Sequence, residues 1–268
     1  AEEKVLRKLG FVLGRTLGVG GFSKVKAATS TKYKVPLAIK VIDQRWAPSN
    51  FMEKFLPREL SILHKLDHPN IMRTLEIIGL SNGMVYIVME ALATDLEQQL
   101  LTQGKLPCVP NARDIFVQIV GGVHYLHDCN LVHRDLKCEN ILLSADSCHA
   151  RITDFGLGKE ISSDLDPSNI CGTVSYARPE MQFGIPHNTK KSDIWSLGVV
   201  LFAMVTGYLP FGSCLCNMIQ EQKKGVLHLK AVSLLPEPCQ ALIAQLLQFG
   251  PASRPSMEQV ASNGWLKG

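Results

Sequence analysis

No apolar run in this chain reaches the roughly 18 residues that a membrane-spanning helix requires. The longest candidate, Ile194 to Val205, has 12 residues and reads as a helix buried in a protein core. There is no run of five basic residues, and a formal net charge of +4 is too small to point to nucleic acid. Ala1 to Lys8 is short and charged, without the apolar core of a signal peptide. The eight cysteines, at 108, 129, 138, 148, 171, 214, 216 and 239, form no Cys-x-x-Cys and have no His-rich partner segment. Reduced thiols are therefore expected, and the Cys214/Cys216 pair lacks the further ligands a metal needs. Internal repeats and low-complexity segments are absent too. What remains is a profile of 268 residues, 46% hydrophobic and 19% charged. It fits a soluble, cytoplasmic, monomeric protein that binds neither membrane nor nucleic acid, built as one large domain or two lobes around a cleft.

Up to about residue 90 the chain reads as short strands, at 11–13, 23–28, 37–42, 74–78 and 85–89. Ser81-Asn82-Gly83 joins the last two as an Asn-Gly turn. One amphipathic helix interrupts them: Phe51, Phe55, Leu56, Leu60, Leu63 and Leu66 recur at three- and four-residue spacing. Pro57 calls for a kink there or a helix that starts near it. After Glu90 the pattern turns helical, at 95–101, 111–127, 193–206, 215–224, 238–248 and 257–263, with two small strands at 141–143 and 150–153. The expected class is α+β: a small β-rich lobe with one main helix, residues 1–90, and a larger, mostly α-helical lobe, residues 91–268.

His133-Arg134-Asp135-Leu136-Lys137-Cys138-Glu139-Asn140 has the form H-R-D-L-x-x-x-N. Phosphoryl transfer asks the protein to hold an acceptor hydroxyl in line and to neutralise developing charge. Asp135 suits the base, Lys137 a positive charge near the moving group, and Asn140 a carbonyl oxygen for a magnesium ion. The plain alternative is a polar surface turn. Leu17-Gly18-Val19-Gly20-Gly21-Phe22-Ser23-Lys24-Val25 is a glycine-rich stretch between strands, with Ser23 where a third glycine would stand. Glycines there let backbone N–H groups approach phosphate oxygens, although an ordinary hairpin is equally compatible. In Leu37-Ala38-Ile39-Lys40, alternation puts Ala38 and Lys40 on one face. Lys40 either meets phosphates or snorkels at the surface. Glu59, on the amphipathic helix, is the carboxylate that would pair with it. Asp154-Phe155-Gly156 offers Asp154 as a magnesium ligand or as the start of a turn. Each motif alone is ambiguous, but their order along the chain matches one template.

On these motifs the chain, from about residue 9 to 266, resembles a eukaryotic protein kinase catalytic domain. The resemblance implies a bilobal fold, ATP and Mg2+ as cofactors, and an activation segment spanning 154–180. It implies that Leu17, Gly18, Gly20, Gly21, Val25, Ala38, Lys40, Glu59, Met89, Glu90, Leu92, Leu142 and Asp154 surround the nucleotide, with Met89 as gatekeeper. Asn140 and Asp154 would hold magnesium; Asp135, Lys137, Lys40 and Asn140 would serve catalysis. Asp193 would anchor the catalytic loop, and Glu180 would pair with Arg254. Lys137 marks the serine/threonine branch. Lys54-Phe55-Leu56-Pro57-Arg58-Glu59, Lys137-Cys138-Glu139-Asn140 and Ile194-Trp195-Ser196-Leu197-Gly198 resemble the testis-specific serine kinases of the calmodulin-kinase-like group. That likeness implies a role in sperm development. The chain departs from the pattern at Arg178, where the A-P-E motif has alanine, and in a short hinge exit, Ala91 to Leu96.

The implied activity is transfer of the γ-phosphate of ATP to serine and threonine of protein substrates; the alternative is a pseudokinase scaffold. Asp95 and Glu139 would face a basic residue upstream of the acceptor, or Asp95 simply caps a helix. Thr173 would bond Asp135 and Lys137 and help select Ser/Thr acceptors. Arg134 would take a phosphate from the activation segment, but the usual threonine position falls on Asn169. Ser168 is the favoured substitute, with Asp164 or Asp166, or a loosely held segment, as the other outcomes.

Overall fold

The computed structural model describes residues 2–19, 23–46, 56–153, 189–211, 222 and 229–268. The chain divides into two compact units, Ala1–Ala93 and Thr94–Gly268.

The first unit is an antiparallel sheet of β1 (Phe11–Val19), β2 (Ser23–Ser30), β3 (Leu37–Asp43), β4 (Thr74–Gly79) and β5 (Met84–Glu90), in the order β1-β2-β3-β5-β4. Alternation in β3 and β5 sorts the side chains onto two faces. Leu37, Ile39 and Val41 join Met84, Tyr86 and Val88 in a cluster with Phe11 and Ala28. A short helix, α1 (Glu2–Lys8), drives a fully buried Leu6 into the same cluster. Sequence reading leaves this helix out because it shows mostly charge. On the other face Ile42, Val85 and Ile87 pack with Leu60 and Leu63 of α2 (Leu56–Lys65). Helix α2 begins one residue before Pro57, in keeping with a proline in a first turn, and of the expected helical face Leu60 and Leu63 lie within it and pack on the sheet. The Asn-Gly turn forms as expected: Gly83 has φ +86°, and Met84 N–H donates to Asn82 Oδ1 at 3.1 Å.

The second unit opens with β6 (Thr94–Asp95), α3 (Leu96–Gln103) and an irregular turn, Cys108–Ala112, leading into α4 (Arg113–Asp128). Strands β7 (Ile141–Leu143) and β8 (Ala150–Ile152) complete a three-stranded sheet, β6-β7-β8. Helix α5 (Thr189–Thr206) is the buried axis, with Ile194, Trp195, Leu197, Val199, Val200, Leu201 and Phe202 at 1% exposure or less. This is the fate the sequence predicts for that apolar stretch. Among the described residues no helix is long and apolar enough to cross a membrane.

Packing on α5 depends on Gly198. A Cβ there would meet Leu246 and Leu247 side-chain atoms at 2.7 to 2.9 Å, so only glycine lets α7 (Glu237–Leu246) approach this closely. Between them lies α6 (Leu229–Ser233), which has no sequence signal of its own. The helix expected at 215–224 falls outside the described residues, Gln222 excepted. The single helix expected at 257–263 is two: α8 (Met257–Ala261), with a Ser256/Gln259 capping box, and α9 (Gly264–Lys267), capped by Asn263. The Asn263 side chain accepts from Trp265 N–H, which starts a new helix rather than continuing the old one. Arg254, 2% exposed, lies over the Trp195 ring at 4.9 Å and donates to the carbonyls of Gln248, Lys191 and Phe249.

Candidate active site

The two sheet faces of the first unit are not equivalent. Lys40 pairs across the strands with Val25 on β2 and Ile87 on β5. Ala38 pairs with Ala27 and Met89. Directly opposed residues share a face, so Val25, Ala38, Lys40 and Met89 lie on the face that also receives α2. An amine thus shares a surface with small and apolar side chains, an arrangement suited to a flat ring ending in anionic groups. Gly18 pairs with Val25, and a Cβ at Gly18 would meet nothing within 4 Å. Leu17 is 46% exposed, and Leu92 is half-buried beyond β5. Glu90 pairs with Leu37 and belongs to the opposite row. Gly20 and Gly21 lie outside the described residues, as does the side chain of Glu59.

In the second unit, residues 131–140 follow α4 and are shaped by one buried carboxylate. Asp193 of α5 is fully buried. Its Oδ2 accepts from His133 N–H at 2.9 Å and from His127 Nε2 at 2.9 Å; its Oδ1 accepts from Arg134 N–H at 3.0 Å. Burial works against the charged form of Asp193. The hydrogen bond and charge of His127, helped by His133, overcome it and hold the carboxyl below the ordinary value. These bonds also hold Arg134 at φ +73°, a left-handed conformation that costs a long side chain about 1 kcal/mol or more.

His133 carries the order onward. Its Nδ1 accepts from Asp135 N–H at 3.2 Å, which leaves Nε2 as donor to the Thr153 carbonyl at 2.8 Å. Asn140 Nδ2 donates to the Asp135 carbonyl at 2.6 Å, and Thr153 N–H donates to the Asn140 carbonyl at 2.9 Å. The Lys137 ammonium is 3.7 Å from Asp135 Oδ2. The loop therefore presents a carboxylate, an ammonium beside it and an amide whose nitrogen is engaged. That last bond leaves Asn140 Oδ1 as its ligand atom, a hard oxygen donor of the kind magnesium takes.

Next to this loop lies an acidic neighbourhood. Asp95 caps α3, accepting from Gln98 N–H at 2.9 Å, so the capping role weighed for it is real. Glu97, two residues later in the first turn of α3, has its pKa raised by burial and then by the charge and hydrogen bonding of Glu139, with Asp95 adding and Lys137 opposing. The structure thus adds Glu97 to the expected Asp95 and Glu139. Leu142, on β7, pairs with Asp95. His127 is a second addition; on an apolar helix face a histidine reads as core, and only Asp193 beneath it reveals its work. Asp154, Ser168, Thr173 and Glu180 lie outside the described residues.

Comparison with known proteins places this geometry. The protein kinase domain model matches residues 11–266. Testis-specific serine/threonine-protein kinase 3 of Mus musculus is 41% identical over 268 residues, covering 98% of each chain. The Homo sapiens protein of the same name is also 41% identical, with 98% of each covered. Testis-specific serine/threonine-protein kinase 1 of Mus musculus is 40% identical over 273 residues, covering 99% of this chain and 74% of the relative.

Proposed function

This chain belongs to the protein kinase family, and from that premise we propose that it moves the γ-phosphate of ATP to serine and threonine hydroxyls of protein substrates with Asp135 as the base. The observation that carries the reading is the Asp193-anchored loop, in which Asp135, Lys137 and Asn140 are held by named hydrogen bonds and an ion pair. Asp135 accepts the hydroxyl proton as the oxygen attacks. Lys137, beside it, offsets negative charge that grows on the transferring group. Lys40, sharing a sheet face with Val25, Ala38 and Met89, binds the α- and β-phosphates, while the small Ala38 admits the adenine. The glycine-rich stretch with Gly18, Gly20 and Gly21 is assigned to the phosphates, and Leu17, Glu90 and Leu92 to the base and ribose. Asn140 and Asp154 would hold magnesium, which when bound neutralises phosphate charge.

The names of the relatives support a role in sperm development. Ser168 takes the regulatory phosphate that Arg134 reads. Mass spectrometry of active protein should find phosphate there, and Ser168→Ala should lower turnover; full activity without it would favour an acidic or phosphate-independent mode. The reaction class is tested with ATP–Mg2+ and matched serine, threonine and tyrosine peptides. Phosphate on serine and threonine peptides alone is the expected result. Nucleotide binding without incorporation would instead mark a binding module.

A further inference from the structure

Charge is unevenly spread along this chain. From Lys4 to Ile42 there are nine lysines and arginines and no carboxylate side chain, although the whole chain carries 24 Asp and Glu. Seven of the nine lie on one side of the first unit. Lys24 and Lys26 pair across the strands with Val41 and Ile39, so they stand on the sheet face that α1 covers, opposite the row holding Lys40. Helix α1 buries Leu6 against that face and leaves Lys4, Arg7 and Lys8 exposed. Lys32 and Lys34, also exposed, flank Tyr33, whose ring stacks on Phe11 of the same cluster at 6.4 Å. The helix end and this turn adjoin, because Thr31 N–H donates to the Gly10 carbonyl at 3.3 Å and Phe11 pairs with Ser30. Among these cations stand two aliphatic side chains, Leu9 at 50% and Val35 at 43% exposure.

The carboxylates on this sheet face are too few to cancel the charge. Glu76 accepts from the Tyr33 hydroxyl at 3.1 Å and pairs with Lys32 at 3.5 Å. Asp43 pairs with Arg45 at 2.8 Å, and Glu90 stands opposite Leu37 at the end of β5.

We infer that this side of the first unit docks on a membrane leaflet rich in anionic phospholipid. Attraction to a sheet of phosphates needs several cations on one side and little fixed geometry, which lysine meets as a flexible point charge. A carboxylate-bearing peptide would call instead for the planar fork of arginine, and six of these seven cations are lysines. Leu9 and Val35 decide between lipid and nucleic acid. Single-stranded nucleic acid stacks on exposed aromatic rings, whereas aliphatic side chains beside cations enter the headgroup boundary. No spanning helix is needed, so the expectation of no membrane contact narrows to no membrane crossing. Because the docked face is the one away from Lys40, lipid and nucleotide use different faces of one sheet.

The test sediments the full chain with vesicles of phosphatidylcholine alone and of phosphatidylcholine with about one third phosphatidylserine. The protein should pellet with the anionic vesicles and not with the neutral ones, and high salt should release it. Each cation near the leaflet multiplies partitioning by about fivefold, so Arg7→Ser, Lys8→Ser and Lys34→Ser together should lower it by about 100-fold. All three side chains are exposed, so the melting temperature should stay unchanged. Lys105→Ser with Lys267→Ser, exposed positions of the second unit, should leave partitioning as it is. Failure to pellet with either vesicle, equal pelleting with both, or binding that survives the triple substitution would overturn the inference. So would preferential capture by polyglutamate or a single-stranded oligonucleotide over the anionic vesicles.

Discussion

Lys40 and Asp193 are single residues whose surroundings decide what their charge can do. Lys40 shares a sheet face with Val25, Ala38 and Met89. If its amine meets phosphate oxygens, compensation grows as charge shifts in the transition state. Lys40→Met should therefore lower turnover far more than nucleotide affinity, measured by titration and by initial rates; retained turnover would contradict the role. Asp193 makes a prediction about stability. Its carboxyl in the folded chain titrates below the ordinary value near 3.8. Its support for folding is therefore complete above the unfolded pKa and is lost as pH falls through the lower folded one. Asp193→Asn should lower stability at neutral pH by about 3–5 kcal/mol, since His127, His133 and Arg134 lose a charged acceptor. It should also flatten the acid limb of a denaturation-versus-pH curve; an unchanged limb would show that other carboxylates set it. Asp193 was legible from the motif around it. His127 was not, because the donor–acceptor pair spans α4 and α5 and no local pattern encodes it.

At the scale of elements, strands were legible because alternation is strict where two faces bury different partners. β3 and β5 show this in full, and the row holding Lys40 follows from it. Helix ends were less legible, since caps decide them: Ser256 and Asn263 make two helices where apolar spacing reads as one. Helix α3 shows the same limit at a functional position. A carboxylate at Glu97 reads as a solvated helix face until Glu139 is brought against it from the loop. Asp95, Glu97 and Glu139 then concentrate negative charge beside Lys137, and an arginine fork on a substrate complements such charge better than a lysine point charge. A positional peptide library should favour arginine over alanine upstream of the acceptor. Glu97→Gln and Glu139→Gln should each weaken that preference several-fold, equivalent to about 1 kcal/mol for partly exposed charges. No arginine preference at any upstream position would reject the idea.

At the scale of the whole molecule, the family was legible from the order of short motifs, because each carries a separate part of one reaction. The glycine-rich stretch, Lys40, the His-Arg-Asp loop and Asp154 are individually ordinary and jointly specific. That Asp193 anchors the loop was legible only through the family resemblance, because it lies about 60 residues beyond the loop and is joined to it only by folding. The central claim is that this held loop makes Asp135 the base of a phosphoryl transfer. Its most direct test is the initial rate of phosphate transfer from ATP–Mg2+ to a serine peptide by wild type and Asp135→Asn, with matched melting temperatures as the folding control. The account predicts a rate lower by about 100-fold or more in the variant, in line with loss of a general base. Equal rates from the two proteins would contradict it.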